Sequence, residues 1–201
     1  MHVSDGVLSP SIIIGSYLVT LGLSAWSSKK VASAELPKVA VVTSSFFVAS
    51  LIHIPLGPTS VHLLLPGIVG VLLGSVSFVS IFVGLILQCI LFQFGGVTSL
   101  GANALMMGIP AIICGVLFQR FRGTTQRSIC IAGGVFATLG TVFSAVLLAG
   151  LLATAGEDFF AVAKFSLLAH IPVFIVEGVI SAFTISFLYR VKPELLLRAK
   201  P

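Results

Sequence analysis

The sequence predicts an all-α polytopic membrane protein, a bundle of about seven transmembrane helices forming a single domain over residues 1–201. Hydrophobic side chains make up 57% of the 201 residues, charged ones only 8%, and the mean hydropathy is +1.18. Soluble domains carry about 25% charged residues. Residues 39–119 contain no Asp, Glu, Lys or Arg, and so long an uncharged stretch requires the lipid bilayer as its solvent.

The basic residues predict the orientation of this bundle. With seven spans drawn, ten of the eleven Lys and Arg residues fall on one side, which the positive-inside rule makes cytoplasmic, and only Lys164 falls outside. The amino terminus is then outside and the carboxyl terminus cytoplasmic. The net charge of +5 is therefore a topology signal and not a nucleic-acid surface. Because Asp5 and no basic residue precedes the first apolar run, that run is unlike a signal peptide, and we expect the mature chain to begin at Met1.

The first two spans are bounded by their end signals. Residues 10–26 form the first helix, with Ser9 suited to cap it and the proline that follows suited to its first position. Residues 38–54 form the second span, which Pro55 and the Gly-Pro pair after it should stop. The loop over residues 57–62 is then outside.

The third and fourth elements are shorter than ordinary spans. Residues 61–75 cover only about 22 Å as a helix, less than the hydrocarbon thickness. We therefore expect residues 61–94 to form two short buried helices turning near residues 75–77, or a re-entrant hairpin. Either arrangement returns the chain to the outer side.

The remaining spans follow from Gly, Pro and charge signals. Residues 95–101 form an outer loop, and residues 103–119 a helix kinked at Pro110. The sixth span covers residues 128–154, and the last covers residues 170–189. Small residues recur every fourth position in the sixth span, which predicts close packing inside the bundle or docking of a separate membrane subunit. They are Gly133, Ala137, Thr141, Ala145 and Ala149.

The candidate ligands gather on the outer side of this topology. They are Met1, His2, His53, His62, Asn103 and His170. The terminal amine, the His2 backbone nitrogen and His2 Nδ1 can close two fused chelate rings, and a second imidazole would complete four nitrogens. A planar nitrogen set suits Ni(II), Cu(II) or low-spin Co(II), whereas Zn(II) prefers a tetrahedron. The amine must lose its proton to bind, so affinity should fall on acidification.

Several of these residues have a second interpretation. His53 is an alternative ligand or caps the second span, and Asn103 could cap the fifth span. His170 and Glu177 lie seven residues apart and nearly share a helix face. A carboxylate within the bilayer is a proton-linked switch or a hydrogen-bonded tie between helices, and we favour the tie.

Four motifs together resemble the CbiM/NikM family of substrate-specific components of cobalt and nickel energy-coupling-factor (ECF) ABC transporters. The motifs are Met1-His2 with Asp5-Gly6, Gly57-Pro58-Thr59-Ser60-Val61-His62-Leu63-Leu64, Leu100-Gly101-Ala102-Asn103-Ala104-Leu105-Met106-Met107-Gly108, and His170-Ile171-Pro172 with Glu177-Gly178. The opening is closer to the nickel-type pattern, with Ser4 in place of proline, but this difference does not decide between Ni(II) and Co(II) as transported substrate.

The resemblance implies a ligand set and partners. The ligands would be the Met1 amine, the His2 amide and imidazole, and His62, with Asn103 behind them holding a ligand or the outer loop. The implied partners are a CbiQ-like or NikQ-like transmembrane subunit, CbiO-like or NikO-like ATPases, and a small CbiN-like or NikN-like membrane subunit. The chain has no phosphate-loop motif of its own, so we expect a transporter subunit of the cell membrane and not an enzyme.

Two other functions remain open at this point. An intramembrane metalloenzyme would use His62, His170 and Glu177 as its centre. A self-sufficient proton-coupled cation carrier would be built around Glu177.

Overall fold

The computed structural model describes residues 2–56, 59–63 and 65–196. These contain eight α-helices: α1 Pro10–Ser28, α2 Leu36–Ala49, α3 Pro66–Leu73, α4 Ser77–Phe92, α5 Leu100–Phe121, α6 Gln126–Ala153, α7 Phe159–Ala169 and α8 Ile171–Val191. They also contain three strands: β1 His2–Val3, β2 His53–Leu56 and β3 Thr59–His62. The bundle is helical as predicted, and the small sheet at one end is an addition that the sequence did not predict.

Within the described part of the chain, five helical segments are long and apolar enough to cross a membrane, so this is a multi-pass membrane protein. They are Pro10–Ser28, Pro66–Phe92, Leu100–Phe121, Gln126–Ala153 and Phe159–Val191; the second of them is apolar and long enough but is divided by a turn at Gly74–Val76. α2, with 14 residues, falls short of this length. The count of seven spans and the side on which each terminus lies remain predictions.

The second helix ends earlier in the chain than predicted. α2 stops at Ala49, and the chain then forms the β2–β3 hairpin instead of continuing as a helix to residue 54. The sequence gives a reason, because Pro55 has no N–H to donate and disfavours helical conformation in the residue before it. His53 therefore opens a strand, and the prediction that it caps the second span is wrong.

The predicted pair of short helices is confirmed. α3 and α4 are separated by a 3₁₀ turn over Gly74–Val76, where the turn was expected. The Ser27 hydroxyl at the end of α1 donates to the Ser75 carbonyl at 2.8 Å, which fixes the turn at the end of the bundle remote from the sheet. Phe94, just after α4, contacts His62, just before α3, with ring centroids 4.9 Å apart. The two helices are thus a hairpin whose ends both reach the sheet.

α6 is the longest helix, and α3, α5, α7 and α8 pack against it. α7 and α8 run back along it, joined at His170 and followed by a proline in the first turn of α8. The predicted ladder of small residues on α6 faces other helices of the bundle: a side chain at Gly133 would meet Ile185, and Ala137 touches the α3 backbone. Internal packing is therefore the role of this ladder.

The backbones of α3 and α6 are in close contact. A Cβ atom at Gly67 would fall 1.8 Å from the Ala137 carbonyl oxygen, and one at Gly140 would fall 2.5 Å from the Gly67 Cα. Only hydrogen side chains permit this approach, because both neighbours are backbone and cannot rotate away. The contact sets the position of α3, which directly follows β3.

We expect Gly67→Ala to destabilise the bundle, since the added methyl must push the α3 and α6 backbones apart. Overpacking of this kind costs about 1–3 kcal/mol. The measurement is thermal unfolding of the detergent-purified protein. Gly15→Ala is the control, because a Cβ at Gly15 has no neighbour within 4 Å; equal melting temperatures for the two variants would contradict the close contact.

Candidate metal centre

The site is built on the three-stranded sheet, in which β3 lies between β1 and β2. β1 pairs with β3 in antiparallel register, His2 opposite Ser60. His62 follows Ser60 by two residues along β3, so His2 is a diagonal neighbour of His62. Strand pairing thus brings together two histidines that are 60 residues apart in the chain.

The two histidine rings are in direct contact. Their centroids lie 4.6 Å apart with the planes at 77°, and the side chains are only 2% and 0% exposed. The Phe94 ring packs on both, at 4.9 Å from His62 and 6.3 Å from His2. Phe94 was not predicted as a site residue; it shields the pair from water.

A hydrogen bond to the end of α2 fixes the orientation of the His62 ring. Its Nδ1 lies 2.9 Å from the carbonyl oxygen of Ser50, at the end of α2. A carbonyl can only accept, so Nδ1 carries the proton, and in the neutral imidazole Nε2 holds the lone pair. This is the arrangement in which protein histidines bind metals.

The backbone of β1 is clamped by α5. Asn103 accepts a hydrogen bond from the Val3 N–H at 2.8 Å through Oδ1 and donates to the Val3 carbonyl at 3.1 Å through Nδ2. The Ser99 hydroxyl lies 2.6 Å from the same carbonyl. Asn103 and Ser99 therefore bind Val3 as a neighbouring strand would, and β3 pairs with the other edge of β1. α5 begins after Ser99, so Asn103 lies within the helix and does not cap it.

Asp5 ties the start of the chain to the loop before α5. Its carboxylate accepts hydrogen bonds from the backbone N–H groups of residues 97–99 and from the Thr98 hydroxyl. Partial burial acts to raise the pKa of this carboxyl, but these hydrogen bonds outweigh burial and lower the pKa below its usual value of 3.8. Asp5 is therefore ionised at neutral pH and keeps its contacts.

The loop can approach β1 because of two glycines in the left-handed region. A Cβ atom at Gly95, with φ +80°, would lie 2.7 Å from Asn103 Nδ2 and 3.1 Å from His2 Cδ2. Gly96, with φ +96°, leaves room for the Asp5 carboxylate in the same way. The Gly-Gly pair was predicted only as an outer loop; its closeness to the histidines could not be inferred from the sequence.

Comparison with known proteins identifies the family. The family model described as "Cobalt uptake substrate-specific transmembrane region" matches residues 2–195. The chain belongs to the CbiM family. The resemblance found in the sequence motifs is thereby confirmed.

Relatives across the CbiM family carry metal-transport names. A Haemophilus influenzae protein named for metal transport is 35% identical, covering 100% of this chain and 98% of its own. The Fused nickel transport protein NikMN of Rhodobacter capsulatus is 30% identical, over 98% of this chain and 64% of its own. The Cobalt transport protein CbiM of Clostridium tetani is 29% identical, over 94% and 85%.

A solved structure shares the fold. A crystal structure titled as a transition metal transporter superimposes with a TM-score of 0.73 over 96% of this chain and 95% of that one. The two sequences are 23% identical, so this likeness shows the fold and nothing finer.

Two of the predicted candidate ligands are not fully described by the structure. Met1 is outside the described residues, and the side chain of His53 is as well. The His53 backbone pairs with that of His62 across β2 and β3. The terminal amine, which the sequence predicts as a ligand of this CbiM-family protein, therefore stays a prediction.

The structure does not join His170 and Glu177 to His62 in one metal centre. No three His, Cys, Asp or Glu side chains are grouped for a metal within residues 2–56, 59–63 and 65–196. His170 is buried, with Nδ1 2.7 Å from the Ser166 carbonyl. Among the described side chains the site thus offers the imidazoles of His2 and His62.

Glu177 forms the hydrogen-bonded tie that the sequence predicted. Its carboxylate accepts from the Leu65 N–H at 2.9 Å and from the Thr141 hydroxyl. It thereby joins α8 to α6 and to the residue before α3. Leu65 has φ +58°, an uncommon conformation outside glycine, so Glu177 holds the chain where it bends from β3 into α3.

We expect Asn103→Ala to loosen β1, since the Val3 N–H and carbonyl would lose their side-chain partner. Two hydrogen bonds of about 1 kcal/mol each correspond to an open population at least about tenfold larger. The measurement is the rate at which an aminopeptidase releases the first residues of the folded protein. Gln119→Ala is the control, because Gln119 bonds the Leu196 carbonyl at the other end of α5. Equal cleavage rates for the two variants would contradict the clamp.

Proposed function

We propose that this protein is the metal-capture subunit of an ECF-type ABC importer for Ni(II) or Co(II) in the cell membrane. The observation that carries the proposal is the buried contact of His2 with His62 at 4.6 Å between ring centroids. Two imidazoles on separate chain segments, one of them at the second residue, are what a nitrogen-ligated ion at the chain terminus requires.

The proposed ligands are four nitrogens in a plane. The Met1 amine, the His2 amide nitrogen and His2 Nδ1 form two fused chelate rings, and His62 Nε2 takes the fourth position. The Ser50 contact of His62 Nδ1 supports this, because it presents Nε2 toward the site. Such a field favours Ni(II) or low-spin Co(II) over Zn(II) and Mg(II). Asn103 acts through Val3, keeping β1 in the position that the chelate needs.

The names of the relatives agree with this choice of substrate. The Rhodobacter capsulatus relative is named for nickel and the Clostridium tetani relative for cobalt. Both ions accept planar nitrogen ligands, and discrimination between them depends on small differences in the ligand field. We therefore assign the pair Ni(II) and Co(II) as the substrate class.

Transport uphill would need partners. We assign a CbiQ-like or NikQ-like transmembrane subunit, CbiO-like or NikO-like ATPases and a CbiN-like or NikN-like subunit. The name of the fused NikMN relative, of which this chain covers 64%, supports an N-like component as a partner. The amino terminus and the sheet would face outward, with basic helix ends on the cytoplasmic side.

The two rival functions find less support. A metalloenzyme centred on His62, His170 and Glu177 lacks its cluster within the described part of the chain. A proton-coupled carrier would need a carboxylate that is available to titrate, whereas Glu177 accepts hydrogen bonds from the Leu65 N–H and the Thr141 hydroxyl.

We expect the authentic Met1 terminus to bind Ni(II) with a square-planar absorption band, and a version whose Met1 amine is acetylated to lose this band. Acetylation removes the basic amine from the chelate while the folded bundle is retained. His62→Ala should abolish the band as well. The measurement is visible absorption during titration of the purified protein with Ni(II) and Co(II).

His53→Ala is the matched control for His62→Ala, since both lie in the same hairpin. It should leave the band unchanged. Square-planar binding by the acetylated chain would refute the amine as a ligand, and loss of the band in His53→Ala alone would move the fourth ligand to His53.

We expect nickel uptake by cells to require the ATPase subunits together with this chain. The subunit has no phosphate-loop motif, so it can bind the ion but has no energy source for accumulation. The measurement is uptake of radioactive Ni(II) with and without an ATPase variant that cannot hydrolyse ATP. Undiminished uptake with the inactive ATPase, abolished by Glu177→Gln, would establish the proton-coupled carrier instead.

A further inference from the structure

Gln88, in α4, carries an amide that is buried inside the bundle without a hydrogen-bond partner. Its side chain is 0% exposed, and neither Oε1 nor Nε2 bonds any residue of the described part of the chain. Asn103 is equally buried and has the same functional group, but it uses both amide atoms on Val3. Leaving a buried amide unpaired destabilises a fold, and an apolar side chain of similar size would avoid that cost. The amide of Gln88 therefore requires an explanation other than folding.

The packing of α4 against α2 places Gln88 level with Ser50. Both helices run toward the sheet, and a Cβ atom at Gly84 of α4 would lie 2.5 Å from the Phe46 ring of α2. Gln88 follows Gly84 by four residues, and Ser50 follows Phe46 by four, so each lies one turn nearer the sheet. The Ser50 carbonyl is the group that orients the His62 ring. Gln88 thus lies at the level of the contact that supports the metal centre.

The chain after α4 connects Gln88 to the histidines by a second route. The Phe94 N–H donates to the Gln88 carbonyl at 3.3 Å, and the Phe94 ring packs on both His2 and His62. A Cβ atom at the next residue, Gly95, would lie 3.1 Å from His2 Cδ2, the ring carbon that is bonded to Nε2. This edge of the His2 ring therefore faces the turn that begins at Gln88.

The proposed chelate determines which nitrogen of His2 needs an oxygen partner. An imidazole that binds a metal through one nitrogen carries its proton on the other. Metal-bound imidazoles usually donate that N–H to an oxygen, which fixes the ring and strengthens the ligand. His62 follows this pattern through Nδ1 and the Ser50 carbonyl. Because the chelate uses His2 Nδ1, the corresponding donor of His2 is Nε2–H.

We infer that Gln88 Oε1 accepts a hydrogen bond from His2 Nε2–H when Ni(II) or Co(II) is bound, which makes Gln88 a positioning residue of the metal centre. This inference rests on the proposed capture function. Binding at Nδ1 fixes the proton on Nε2, so the ion creates the donor that the Gln88 oxygen accepts. Pairing the buried amide also removes the cost of leaving it unpaired, and that gain adds to the affinity for the ion.

The test is Gln88→Met, which keeps a long flexible side chain and removes the amide. We expect the purified protein with its Met1 terminus to bind Ni(II) about tenfold or more weakly, the usual effect of removing the oxygen partner of a metal-bound histidine. Without added metal, the melting temperature should equal or exceed that of the unaltered protein, because an unpaired amide has been replaced by an apolar group. The measurements are Ni(II) titration by visible absorption and thermal unfolding.

The matched control is Gln119→Met, at the opposite end of α5 from Asn103. Gln119 Nε2 donates to the Leu196 carbonyl at 3.1 Å, so the same substitution removes a hydrogen bond that already exists. It should lower the melting temperature and leave the affinity for Ni(II) unchanged. Gln88→Glu, which retains an acceptor oxygen, should bind Ni(II) more tightly than Gln88→Met.

Each contrary result has a separate meaning. Equal affinity for Ni(II) in Gln88→Met and the unaltered protein would overturn the inference and leave the proposed capture function intact. A lower melting temperature in Gln88→Met with unchanged affinity would assign Gln88 to the fold alone. Gln88→Glu binding no more tightly than Gln88→Met would refute the acceptor role. Failure of the unaltered protein to bind Ni(II) would refute the proposed function and this inference with it.

Discussion

The Asn103 amide holds the Val3 backbone by both its N–H and its carbonyl, at 2.8 and 3.1 Å, and the geometry of the site depends on this contact. A two-residue strand pairs too briefly with β3 to remain in place by itself. Asn103, from α5, binds the edge of β1 that does not pair with β3. The Ser99 hydroxyl bonds the same Val3 carbonyl, and Asp5 ties the chain after β1 to the loop before α5. The position of His2 is therefore set by a transmembrane helix and not by the chain terminus.

A second constraint is the free-energy cost of polar groups in the bilayer. A polar group without a hydrogen-bond partner there costs several kcal/mol. The chain carries few such groups, and the described ones at the site are used to join elements. Glu177 connects α8, α6 and Leu65, while the His62 ring connects β3 to the end of α2. Between β3 and α3, the N–H of Leu63 bonds the Ile52 carbonyl and that of Leu65 bonds Glu177, so both described N–H groups are satisfied inside the bundle.

Much of the bundle could be predicted because lipid-spanning helices leave strong signals. Ser9 and the proline after it marked the start of α1, and the break near Ser75 marked the hairpin. The sheet could not be predicted, because β1 has only two residues and its pairs with β3, His2 with Ser60 and Val3 with Thr59, are too distant in the chain to leave a local pattern. The candidate histidines were named from chemistry alone, whereas their contact depends on the register of His2 with Ser60, which the sequence does not encode locally. Asp5 and Phe94 were missed as site residues for the same reason.

The backbone contact of Gly67 with Ala137 indicates which part of the molecule can open. Helices that meet without intervening side chains cannot slide without losing the whole contact, because no flexible atoms remain to absorb the movement. The lowest-energy opening is then the peeling of β1 from β3 and α5, which breaks a handful of hydrogen bonds and leaves the bundle intact. Exchange of a metal ion bound by the two histidines would accordingly require local unfolding at the chain terminus. Substitution of a single side chain that holds β1 would change the rate of this exchange.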